Sequence, residues 1–172
     1  MRTLFLTVGL TGLAATPALA ADLEISVEVP RLDVAEYHKP YVAVWLEGPD
    51  RHVAANLAVW YDIANKRNEG EKWLKDLRQW WRRAGRELKL PADGLTSATR
   101  APGTHSISID DDKNKILSGL APGQYQLVVE AAREVGGREV VKIPVQWPLQ
   151  KGATLSGKGE HELGTITIST KP

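Results

Sequence analysis

The stretch Leu23-Glu-Ile-Ser-Val-Glu-Val29 alternates apolar and polar residues without a fault. A period of two places every second side chain on the same face, so the stretch is a strand with one wet face and not a helix. Tyr41 to Glu47, introduced by Pro40, is apolar on both faces and reads as a central strand. Gly48-Pro49-Asp50 turns the chain back into His52 to Tyr61, an antiparallel hairpin by the shortest connection. A clearer hairpin is Gln124 to Glu134, the Gly136-Gly137 tip, and Arg138 to Trp147, with Pro144 placing its second strand at an edge or a bulge. Residues 101–110 and 121–130 echo one another at a spacing of twenty, each turning at Pro-Gly before an alternating run. Two copies make similar strand starts, not a repeat fold. Leu163 to Thr170 is a closing strand, and Lys151 to Glu160 a polar loop. Asp110-Asp111-Asp112 lacks the alternation and glycine of a calcium loop and reads as a solvated turn.

Between Glu71 and Leu88 the period changes. Trp73, Leu74, Leu77, Trp80, Trp81, Ala84 and Leu88 fall at helical spacing, with Asn68 a few residues ahead as the cap. Lys72, Lys75, Arg78, Arg82, Arg83 and Arg86 occupy the opposite face, which is either simply solvated or an anion-binding surface. Seven or eight short strands and one helix predict a mainly β chain: an antiparallel immunoglobulin-like β-sandwich with one inserted amphipathic helix at about 71–88. The strand order is beyond this reading.

Arg2, the apolar run Leu4 to Leu13 and Ala18-Leu19-Ala20 make residues 1–20 a secretory signal peptide, too short for a membrane anchor. The exported part, 21–172, is about the size of one domain with its own core. It has no Cys, which excludes disulfides and thiol chemistry in an oxidising compartment. Loss of Arg2 leaves 21 Lys and Arg against 21 Asp and Glu, so no global field draws the chain to nucleic acid or lipid. The expectations are a periplasmic location, no membrane insertion and no nucleic-acid partner. Six Trp stand against one Phe, and Trp serves either in cores or as a flat stacking surface.

Chemistry concentrates in Asp93-Gly-Leu-Thr-Ser-Ala-Thr-Arg-Ala-Pro-Gly103, bounded by two turn signals. The plain reading is a surface loop whose hydroxyls cap turns. The segment also resembles the acceptor motif of proteins that carry FMN on a threonine by a phosphoester bond. That motif runs Asp, two variable residues, Ser or Thr, Gly, Ala, then the acceptor. Asp93, Thr96, Ala98 and Thr99 fit it, and Ser97 stands where those proteins usually have Gly. The resemblance makes Thr99 the acceptor, filled by a flavin transferase that uses FAD and a divalent metal. It gives Asp93 a part in recognition or activation, Thr96 and Ser97 the shape of the loop, and Arg100 the phosphate. Trp80 or Trp81 would cover the ring and His105 would tune it.

Lys39 to Trp45, Leu57 to Trp60, Lys72 to Leu77 with Trp80-Trp81, Thr99 to Gly103 and Glu130 to Gly137 resemble, over roughly 23–170, a family of periplasmic proteins with domain of unknown function 2271. Genes of that family tend to accompany membrane flavoreductases and flavin transferases. The resemblance therefore implies extracytoplasmic redox work, and a place for Arg133 or Arg138 beside the ligand loop.

His38, His52, His105 and His161 are scattered, with no pair at metal-ligand spacing. A hydrolase built on Ser97, His105 and Asp93 has no oxyanion hole in view. No nucleophile elbow, zinc-protease helix, phosphate loop or dinucleotide fingerprint occurs. The expectation is a periplasmic electron carrier with covalent FMN on Thr99, serving a membrane flavoreductase and not a stand-alone enzyme. The alternative is a non-redox periplasmic binding module for a partner protein, a metal or haem.

Overall fold

The computed structural model describes residues 22–65 and 69–170; the expected signal peptide at 1–20 and the Asn68 cap lie outside the described residues. Among the described residues, nine strands form two sheets: β1 Leu23–Val29, β2 Tyr41–Glu47, β3 Val53–Tyr61, β4 Thr96–Ala98, β5 Gly103–Ile109, β6 Gly123–Ala132, β7 Arg138–Trp147, β8 Thr154–Lys158 and β9 Thr165–Thr170. The first sheet has the order β5-β1-β9-β8 and the second β4-β3-β2-β6-β7. The chain is mainly β.

Alternation decides which side of each strand is buried. In β1, Leu23, Ile25, Val27 and Val29 are buried, while Glu24, Ser26 and Glu28 are only partly covered. Those four pack with Ile166 and Ile168 of β9 against Val42, Val44 and Leu46 of β2 and Leu127 and Val129 of β6, so the two sheets share one core. The other face of β2 offers Ala43 and Trp45 to a second core that holds Val59, Tyr61, Leu74, Leu77, Trp80 and Val128. The second sheet is therefore covered on both faces, by the first sheet and by the segment after β3.

That segment differs from the single helix expected at 71–88. It is α1 Glu69–Lys72, a 3₁₀ turn Leu74–Asp76, α2 Arg78–Arg83 and a second 3₁₀ turn Gly85–Glu87. Leu77, with ψ 68, and Ala84, with φ −142, leave helical geometry and interrupt it. The breaks follow from docking. Leu74, Leu77 and Trp80 are each at most 1% exposed against the sheet, and each such burial contributes about 1.5–3 kcal/mol relative to exposure. Glu130, on β6 and 0% exposed, accepts from the backbone N of Gln79 (3.0 Å) and Trp80 (2.7 Å), satisfying open N–H groups at the start of α2. Gly70 closes the approach, since a Cβ there would lie 2.0 Å from the Asp62 carbonyl oxygen.

Three further expectations are corrected. Part of the Asp93 loop is a strand, β4, and it runs parallel to β3, so the second sheet is not wholly antiparallel. The polar stretch 151–160 contains β8, which pairs with β9 through backbone groups alone. The aspartate run is not simply solvated. Asp110 caps the one-turn α3, Asp111–Asn114, and Asp111 is buried, accepting from Leu117 N (2.6 Å) and Ser118 N (3.1 Å). The hairpins β2–β3 and β6–β7 are as expected, and Pro144 does lie on an edge strand.

Candidate functional site

Thr99 follows β4 directly. Its backbone N donates to Tyr61 O at 3.2 Å, extending the ladder with β3 by one bond. The residue is half-buried, and its hydroxyl has no hydrogen bond among the described residues. It stands on the lip of a cleft of about 620 Å³. Tyr37, Tyr41 and Trp73 are the aromatic groups of that cleft, and Trp73 is 48% exposed. Asp62, Glu69, Asp76 and Glu134 line it as well, against Lys39, Arg133 and His38.

Two features bear on what the cleft could hold. The Tyr37 hydroxyl is buried with no hydrogen-bond partner among the described residues, a cost that a polar ligand atom removes. Burial also pushes the Tyr37 and Tyr41 phenols above the ordinary tyrosine value, so both are neutral donors at neutral pH. Arg133 is fixed: it is 6% exposed and forks onto Glu162, Nε to Oε2 at 2.9 Å and Nη2 to Oε1 at 3.1 Å. Glu162 also takes Gly137 N at 2.8 Å. The pair is buried and ties the β6–β7 turn of one sheet to the β8–β9 connection of the other.

The other motif residues divide. Thr96 Oγ1 donates to Ala92 O (2.9 Å) and accepts from Ala92 N (3.1 Å), closing the turn that Gly94 makes with φ 72. Asp93 is exposed in that turn. Ser97 lies in β4 with an extended backbone, so glycine is not required where it stands. Its Oγ accepts from Arg100 Nη2 at 3.4 Å, and the Arg100 guanidinium lies over Trp60 at 5.5 Å. His105 meets the edge of the same ring at 5.8 Å and donates Nε2–H to Ala101 O at 2.7 Å. Ser97, Arg100 and His105 therefore gather around Trp60, while Thr99 alone among the motif residues lines the cleft.

The tryptophans are redistributed. Trp80 is 0% exposed and donates Nε1–H to Asn56 Oδ1 at 2.8 Å, so it belongs to the second core and has no face left for a ligand. Trp81 lines a different cleft, with Arg78, Arg82, Arg86 and Arg138. The ring that reaches the Thr99 cleft is Trp73, which the helical spacing placed on the same face as Trp80. Tyr37 and Tyr41 were missed. Their signal was their proximity to β2, but only the ladder from β2 to β3 to β4 brings them to residue 99.

Among the described residues, no group of three or more His, Asp or Glu is disposed to hold a metal ion, and no helix is long and apolar enough to cross a membrane. The family model described as predicted periplasmic protein, with domain of unknown function 2271, matches residues 22–165. No curated protein and no solved structure matches the chain.

Proposed function

The chain belongs to the family of predicted periplasmic proteins with domain of unknown function 2271, and from that premise we propose that it is an exported electron carrier holding FMN covalently on Thr99. The periplasm is its compartment. The observation that carries the proposal is a hydroxyl without a hydrogen bond on the lip of a cleft with three aromatic residues and a buried, unpartnered Tyr37 hydroxyl. A flavin transferase joins Thr99 Oγ1 to the FMN phosphorus of FAD; the hydroxyl proton leaves, and the broken P–O bond releases AMP. Tyr37, Tyr41 and Trp73 fit a flat ring by size and character. Arg100 is exposed and next in the chain, and its guanidinium would swing off the Trp60 ring to offset the phosphate charge. Asp93, exposed on its turn, is the handle the transferase reads. Bound FMN supplies reversible electron transfer. The four carboxylates of the cleft favour the neutral isoalloxazine ring over its anionic reduced form. A membrane flavoreductase is the partner in this reading, and an immunoglobulin-like build, in the broad sense of two facing sheets, is its scaffold.

A second reading, a non-redox binding module, is favoured by the cation-rich clefts beside Arg83 and Arg86, which the flavin does not use. Mass spectrometry separates the two. The chain is co-expressed with a flavin transferase and digested. The expected result is an FMN ester on the Thr99 peptide, kept in Thr99→Ser and lost in Thr99→Ala. A colourless chain with an unmodified Thr99 peptide overturns the carrier reading and leaves the binding module.

A further inference from the structure

At the far end of β2 from Tyr41, a second cleft of about 540 Å³ lies between the β2–β3 turn, the β6–β7 edge and α2. Among the described residues, its charged groups are Glu47, Arg51, Arg83 and Lys142. Glu47, 3% exposed, accepts from Lys142 Nζ at 3.0 Å and from the Arg83 guanidinium. One carboxylate therefore faces three cations, an excess of two positive charges. Arg51 enters from the turn with φ 65, a left-handed backbone that costs a β-carbon-bearing residue energy. Burial holds the Lys142 ammonium below the ordinary lysine value, and the charges of Arg83 and Arg51 push the same way. Gln79 lines the same cleft, and its side-chain Nε2 is buried with no hydrogen-bond partner among the described residues.

We propose that this cleft binds a doubly charged oxyanion, inorganic phosphate or a phosphate monoester, held by Arg51, Arg83 and Lys142 with the Gln79 amide as the neutral donor. A dianion matches the excess charge, removes the repulsion among the cations and fills the open valence of Gln79. The cleft around Trp81 is also cationic, but Arg138 there is committed to Glu130 at 2.6 Å, and no unpartnered buried donor lines it. The site makes no use of a flavin on Thr99, so it is tested on unmodified chain.

The experiment is a nuclear magnetic resonance titration at low ionic strength, first with inorganic phosphate and then with glycerol phosphate. Both should give a saturable shift of the Gln79 side-chain amide. The monoester saturating at lower concentration assigns an organic phosphate; equal or weaker binding assigns the inorganic ion. Asn tolerates a left-handed backbone and Arg51 pairs with no carboxylate among the described residues, so Arg51→Asn should keep the unfolding midpoint and weaken phosphate about tenfold. Arg86→Gln, in the other cationic cleft, should leave the affinity unchanged. No saturable shift at Gln79, equal weakening by both variants, or acetate saturating as well as phosphate overturns the proposal.

Discussion

The two clefts sit at opposite ends of one sheet and one helical segment, yet their charges are opposite. Tyr41 opens β2 at the Thr99 cleft and Glu47 closes it at the other, six residue steps or about 20 Å away. Asp76 belongs to the first and Gln79 and Arg83 to the second, so α2 and the turn before it divide them. The Thr99 cleft carries four carboxylates and exposed aromatic surface, whereas the Glu47 cleft carries three cations and no Trp. A flat, nearly neutral group suits the first and a compact dianion the second. The lesson is that the cationic face read from the helix does not line the Thr99 cleft beside it in sequence.

The hardest way to break this contrast is to remove what both clefts lean on. Trp80→Ala empties the second core beneath α2 and should cost about 3–5 kcal/mol in urea unfolding. A stable Trp80→Ala protein with an altered flavin spectrum would instead return Trp80 to the ligand. Glu130→Ala should cost about 3 kcal/mol, because it strips the start of α2 of its acceptor and leaves Arg138 unpaired. Gly70→Ala should cost about 1–3 kcal/mol by pushing α1 off Asp62, and it should disturb the Thr99 cleft while sparing phosphate binding at the other.

Acid should separate the clefts as well. Burial alone raises the Glu139 carboxyl, but four backbone N–H donors, from Glu160, His161, Glu162 and Leu163, outweigh it and hold the group below 4.5. A depressed folded value means stability that is present above pH 4.5 and lost as pH falls through the folded value. That loop carries Glu162, the partner of Arg133 in the wall of the Thr99 cleft. Hydrogen-exchange protection at 160–163, corrected for the intrinsic pH dependence, should therefore fall on acidification before protection at Gln79 does. The smallest effect is expected for Trp73→Ala, within about 0.5 kcal/mol in stability, with a changed flavin fluorescence. No change in fluorescence would remove Trp73 from the cleft's function.

Thr99 is singled out in the sequence by a short motif, and the half-buried strands were legible because alternation is a one-dimensional signal. Trp80 and Trp73 show where that legibility stops. Both fit one helical face, but the break at Leu77 lies between them, and Trp80 is sealed while Trp73 is not. Glu130 and Asp111 look like surface acids in the chain, yet both are buried and collect backbone N–H groups, Glu130 from the distant start of α2 and Asp111 from Leu117 and Ser118 just beyond α3. Ser97, Arg100 and His105 lie close to Thr99 in sequence and face another ring.

The order of residues alone determined the β1 alternation, both long hairpins and the presence of an apolar segment after β3, since each depends on spacing within a few residues; it left Pro144 at an edge or a bulge, and the sheet order made it an edge. Only the tertiary structure decided that β4 and β8 are strands, that the helix is broken, and which aromatic residues meet Thr99. Those outcomes depend on partners far along the chain: a ladder from β3, a ladder from β9, and a carboxylate on β6. No local pattern encodes a hydrogen bond whose other half is fifty residues away.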